Sequence, residues 1–113
     1  GCESLCTFCS QQKFWNKTWR GRSVENVIAE IEHLHRDFGV DVILLGDEYP
    51  TRDRARWEGI LDSLIKRALP VRFLMETRVE DIVRDRDIMH KYRKRGSFTF
   101  TWEWKPRIRR PWT

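Results

Sequence analysis

The sequence predicts an α/β chain in which amphipathic helices alternate with short parallel strands. Three observations predict it. Apolar residues recur at helical spacing in three separate stretches, two short and nearly continuous apolar runs lie between those stretches, and glycine or proline marks the junctions. Helix and strand in regular alternation is the rhythm of βαβ units, here without the strand that would open it.

Residues 1–22 carry no sustained periodicity and read as a loop. From Ser23 onward, Val24, Val27, Ile28, Ile31, Leu34 and Phe38 fall on one helical face, with Ser23 placed to cap the helix and Gly39 to stop it. Val40, Val42, Ile43, Leu44 and Leu45 form a run rather than an alternation, which predicts a strand buried on both faces and stopping at Gly46. Thr51 is placed to cap a second helix, whose stripe is Trp57, Ile60, Leu61, Leu64, Ile65 and Ala68 and which Pro70 closes. Val71 to Met75 read as a second buried strand. Helical spacing returns at Val79, Ile82 and Val83, and again at Ile88, Met89 and Tyr92 before Gly96. In doubly wound sheets and in (βα) barrels alike, chemistry gathers in loops beyond the C-terminal ends of the strands. Three segments qualify here: residues 1–22, Gly46 to Pro50, and Glu76 to Arg78.

A length of 113 residues allows one small domain at most, and the net charge of +5 raises the question of a polyanionic partner. The charge is uneven. Residues 1–96 hold 18 basic and 16 acidic side chains, whereas residues 97–113 hold four basic and one acidic, together with Trp102, Trp104 and Trp112. No apolar run is long enough to span a membrane and no signal-peptide pattern opens the chain, so a cytoplasmic location with no membrane partner is expected. The chain starts at Gly1 with a cysteine next, and it reads as a fragment of something longer.

All three cysteines, Cys2, Cys6 and Cys9, lie in one CxxxCxxC stretch. An odd number in an α/β core argues against disulfides. A zinc site needs a fourth ligand, and His33, His35 and His90 all fall in predicted helices, with His33 and His35 unable to face one site together. Thiolates also hold iron–sulfur clusters, usually four per cluster, so three thiolates on a four-iron cluster leave one iron open to a ligand.

CxxxCxxC in a loop beside βα units resembles the radical S-adenosylmethionine (SAM) superfamily. The resemblance implies a partial (βα) barrel of radical SAM type, lacking its first strand and its C-terminal units. It implies a [4Fe-4S] cluster on Cys2, Cys6 and Cys9, whose open iron is chelated by the amino and carboxylate groups of SAM, and whose electron releases a 5′-deoxyadenosyl radical. Phe8 matches the aromatic that the family uses beside the adenine. The segment Leu45-Gly46-Asp47-Glu48-Tyr49-Pro50 is similar to the family's Gly-Gly-Glu-Pro segment, which holds the SAM amino group through backbone and an acidic side chain. Glu48 is the first choice for that side chain and Asp47 the second. At the next strand end Arg78 is the candidate for the SAM carboxylate and Thr77 a weaker one for carboxylate or ribose. Plainer readings stand beside these: Gly-Asp-Glu-Tyr-Pro is good turn chemistry, and Arg78 could pair with Glu80 or Asp81.

Further motifs narrow the resemblance. The aromatic and basic run from Gln11 to Arg20, Leu34-His35-Arg36 before Gly39-Val40, the Asp47-Glu48-Tyr49-Pro50 turn, and Asp-Ile-Val-Arg-Asp over residues 81–85 are similar, across residues 1–96, to one cobalamin-dependent branch. That branch contains anaerobic magnesium-protoporphyrin IX monomethyl ester oxidative cyclases and methyltransferases. It implies cobalamin on a preceding domain outside this chain, a small-molecule substrate with a tetrapyrrole among the candidates, and a reductant protein. The branch places an apolar strand ending in Gly-x-Glu after residue 96, where this chain has a Trp- and Arg-rich tail. Read one base earlier, the codons for Trp102 to Pro106 are forced to give Gly, then Val or Met, then Glu, then Ala or Thr. Residues 97–113 therefore read as a frame-shifted barrel strand rather than a domain. Two other functions compete, a nucleic-acid-binding module built on the basic tail and a small zinc-binding interaction domain, and each accounts for one feature only.

Overall fold

The computed structural model describes residues 1–94 and 98–101. After a single-turn helix α1 (Gln11–Phe14) come α2 (Val24–Phe38), β1 (Val42–Leu44), α3 (Arg54–Arg67), β2 (Arg72–Glu76), α4 (Val79–Arg84), a 3-10 turn (Arg86–Ile88), α5 (Met89–Lys94) and β3 (Phe98–Thr101). The three strands are parallel and lie in chain order, with Val42 opposite Arg72 and Phe73 opposite Phe98. Parallel strands in consecutive order with helices between them are the singly wound pattern. The described residues form an open sheet, and the barrel expected from the sequence is not closed by them.

Local chemistry sets the helix ends. Ser23 accepts the Asn26 amide at 3.2 Å and caps α2, while Gly39, at φ 65°, ends it in the left-handed conformation that glycine adopts at no steric cost. The predicted cap of the second long helix is corrected: Asp53 accepts the Arg56 amide at 3.0 Å, and Thr51 turns inward to other partners. The third helical stretch is not one helix but α4, a 3-10 turn and α5.

The core lies between the helices and one sheet face. Ile28 and Ile31 of α2, Trp57, Ile60, Leu61 and Leu64 of α3, Val71, Phe73 and Met75 around β2, and Ile88 and Tyr92 form one apolar cluster. The expectation of strands buried on both faces is overturned. Burial alternates along β2, and on the other face Val42 is 51% and Leu44 69% exposed. Helices cover a single face, so the runs of apolar residues that predicted two covered faces have only one cover here. β3 follows α5 and pairs with β2, where the sequence predicts a barrel strand in another frame. What the sequence predicts for residues 95–97 and 102–113 lies outside the described residues.

Candidate functional site

The C-terminal ends of β1 and β2 point to the same side as the cysteine loop, and the contacts among these segments build the site. Cys2, Cys6 and Cys9 are free thiols, each half-buried. The Cys9 amide donates to the Cys6 carbonyl at 3.1 Å, and Gln12 Nε2 donates to the same carbonyl at 2.8 Å, which fixes the second half of the motif as a turn. The first half is tied to the loops that follow β1 and β2. Glu3 accepts from Arg52 Nε at 2.5 Å, and Ser4 Oγ accepts from Arg78 Nη1 at 3.1 Å. Arg78, singled out in the sequence, is thus brought to the cysteine loop. Its guanidinium also lies 5.5 Å from the Tyr49 ring centroid and 3.6 Å from Glu80, the ion pair that the plainer reading anticipated.

The other candidates are placed less tightly. Gly46, Asp47 and Glu48 are exposed in the turn after β1, and a Cβ added at Gly46 would meet no atom within 4 Å. Phe8 is 65% exposed. Thr77 is half-buried, and its hydroxyl lies 2.6 Å from that of Thr51. Among the described residues no three His, Cys, Asp or Glu side chains are gathered as ligands of one metal ion. The donor set nevertheless fits iron–sulfur ligation, because three unpaired thiols lie on one loop without regular structure beyond a single turn. It does not fit a closed zinc site, which takes four ligands.

Beneath this surface lies a polar network that sequence reasoning missed. Asp81 is 5% exposed and accepts from Thr51 at 2.5 Å, from the Tyr49 hydroxyl at 3.2 Å and from Arg84 at 3.2 Å. Asp85 is 1% exposed and takes two bonds from Arg84, both at 2.6 Å. The paired Asp85, with Asp81, raises the Arg84 pKa well above its ordinary value against the opposing effect of burial. Burial, reinforced by the Asp81 charge, pushes the Tyr49 phenol up. The Asp-Ile-Val-Arg-Asp spacing carried the signal. Acids at i and i+4 with an arginine between them place two carboxylates on one helical face beside a single cation.

Trp19 closes the site from the segment after the cysteines. Its indole N–H donates to the Tyr49 carbonyl at 2.9 Å, and the Arg52 and Arg56 guanidinium groups each lie 5.8 Å from its ring. Arg56 in turn donates to the Arg22 carbonyl at 2.6 Å.

No family model matches the chain, and no solved structure matches it. Among curated proteins it is 41% identical over 96 residues to the anaerobic magnesium-protoporphyrin IX monomethyl ester cyclase of Synechocystis sp., which covers 85% of this chain and 19% of that one. It is 42% identical over 96 residues to the cyclase of the same name from Rubrivivax gelatinosus, covering 85% and 17%. An uncharacterized methyltransferase of Pyrococcus horikoshii is 34% identical over 79 residues, covering 70% and 17%. The chain spans 19% or less of the length of these relatives. Similarity at this level over most of the chain carries the cysteine-loop resemblance from motif to sequence: over the matched length, the chain belongs to the radical SAM family that includes the anaerobic magnesium-protoporphyrin IX monomethyl ester cyclases.

Proposed function

We propose that this chain is the cluster-bearing part of a radical SAM enzyme, with residues 1–96 forming the N-terminal part of the core domain. The carrying observation is the loop of three free, half-buried thiols fastened by Glu3 and Ser4 to the loops that follow two parallel strands. Cys2, Cys6 and Cys9 hold a [4Fe-4S] cluster. When SAM is bound at its open iron, the cluster supplies the electron that cleaves the sulfonium. The protein side of that site consists of Phe8 against the adenine, the Gly46 backbone with Glu48 or Asp47 at the amino group, and Arg78 with Thr77 at the carboxylate or ribose. The exposure of Asp47 and Glu48 leaves their carboxylates accessible from the strand-end side.

The complete protein performs cyclase or methyltransferase chemistry on a small molecule, a tetrapyrrole by analogy with the cyclases, using cobalamin held outside this chain and a reductant protein in the cytoplasm. No helix of the described residues is long and apolar enough to cross a membrane. Residues 97–113 are a frame-shifted strand. Read one base earlier, the codons at positions 98 and 100 still give Phe, Leu, Ile or Val, so either frame keeps apolar residues at alternate positions of β3. Resequencing decides this point: nucleotides that fail to encode Gly-x-Glu in the shifted frame end the idea.

The main test is anaerobic reconstitution of the full-length parent with iron and sulfide. The expected product is a brown protein with about four irons per chain that cleaves SAM once reduced, and loses its iron when Cys2, Cys6 and Cys9 are replaced by alanine. A colourless protein holding one zinc would overturn the proposal.

A further inference from the structure

Tyr49 stands where three loops meet. It is 8% exposed yet is not part of the apolar cluster between helices and sheet, so its burial serves other contacts. Its hydroxyl donates to Asp81 at the start of α4, and its carbonyl accepts the Trp19 indole from the segment after the cysteines. Its ring carries the Arg78 guanidinium, and Arg78 reaches Ser4, between Cys2 and Cys6. A long arginine spans many rotamers unless a flat surface limits it, and an aromatic face restricts the guanidinium plane while leaving its N–H groups free to donate. Asp81 is itself fixed by Thr51 and Arg84, so the phenol is held at its tip as well as along its ring.

We propose that Tyr49, anchored by Asp81, is the positioning residue that docks the cysteine loop onto the strand ends, through Arg78 to Ser4 on one side and through Trp19 on the other. Its role is to hold residues 1–9 where the three thiols can share one cluster. It rests on the reading that those thiols hold iron, but it makes a claim about the loop before any iron arrives.

The test is hydrogen exchange, read by mass spectrometry, on the metal-free full-length parent, together with iron content after reconstitution. Tyr49→Leu is expected to speed exchange in residues 1–9 by about tenfold or more, to leave α2 and α3 within about twofold, and to lower bound iron by half or more. Tyr49→Phe keeps the ring under Arg78 but loses the hydroxyl that Asp81 accepts, and is expected to fall between wild type and Tyr49→Leu in loop exchange and in iron content, whereas a purely volume-filling role predicts wild-type values. Exchange in residues 1–9 that stays within about twofold of wild type in Tyr49→Leu overturns the proposal. Should Tyr49→Leu also loosen α3, Arg78→Leu decides: with Tyr49 in place it must still speed exchange in residues 1–9, and an unchanged loop overturns the docking. A wild-type parent that binds no iron while its loop loosens in Tyr49→Leu sinks the cluster reading and leaves the docking intact. Iron binding with an indifferent loop does the reverse.

Discussion

Replacing Asp81 with alanine removes the acceptor on which the polar network turns. Asp81 accepts three hydrogen bonds, from Thr51 at 2.5 Å, Tyr49 at 3.2 Å and Arg84 at 3.2 Å. A hydrogen bond to a charged group contributes about 1.5–3 kcal/mol. The three do not simply add. Arg84 keeps both bonds to Asp85, and its side chain is 34% exposed, so its loss is small; Thr51 keeps the Thr77 hydroxyl at 2.6 Å. Tyr49 is left with a buried hydroxyl and no carboxylate to receive it. The local cost is then about 3 kcal/mol, on the order of 100-fold in the equilibrium for opening the two strand-end loops. Hydrogen exchange on the full-length parent reads it directly: peptides spanning residues 47–53 and 77–85 should exchange on the order of 100-fold faster while α2 is unaffected. Asp81→Asn, which keeps the shape and one acceptor, should recover part of the protection. Acceleration below about fivefold in Asp81→Ala would refute the argument that these bonds hold the loops.

Burial pushes the Tyr92 phenol up to about 12. The folded state therefore holds that proton more tightly than the unfolded chain, so a contribution on the order of 2 kcal/mol is present below pH ~10 and disappears as the pH climbs toward ~12. The difference in tyrosinate absorbance between the parent and its Tyr92→Phe variant measures it, and an ordinary titration near pH ~10 would contradict the buried environment. Ser23→Ala removes the cap at the start of α2 and should cost about 1 kcal/mol in a denaturant melt, with Ser23→Asp close to wild type. Leu44→Lys places a charge on the uncovered sheet face and should reduce aggregation of the 113-residue chain with no loss of helical circular dichroism; equal aggregation would show that this face is not what associates.

Legibility from sequence divides along physical lines. The limits of α2 were readable because Ser23 and Gly39 act through their own backbone neighbours. Thr51 misled for a related reason. A hydroxyl before a helix caps it unless a better partner exists, and the buried carboxylate that outcompeted the helix amide lies 30 residues away. The cysteine loop was legible as chemistry because its spacing is local, and Arg78 was legible as a strand-end cation. That Arg78 leans on Tyr49 was not, since a cation resting on a ring leaves no periodic trace. The composition of the strands predicts cover on both faces, yet composition records only what a residue tolerates, and the exposure of Val42 and Leu44 records what these residues actually meet.

The ties between the cysteine loop and the strand ends run through side chains, Glu3 to Arg52 and Ser4 to Arg78, while the backbone bond within the motif, Cys9 to Cys6, is local. A segment fastened this way can swing away without unzipping a strand. Release of its first half needs an exposed ion pair and one hydroxyl contact to give way, events that belong to the fast, shallow end of native-state openings. Under the cluster-binding proposal, such a latch separates the timing of cofactor insertion from the timing of folding. High salt, which screens the Glu3–Arg52 pair, should hasten insertion and loss of the cofactor alike.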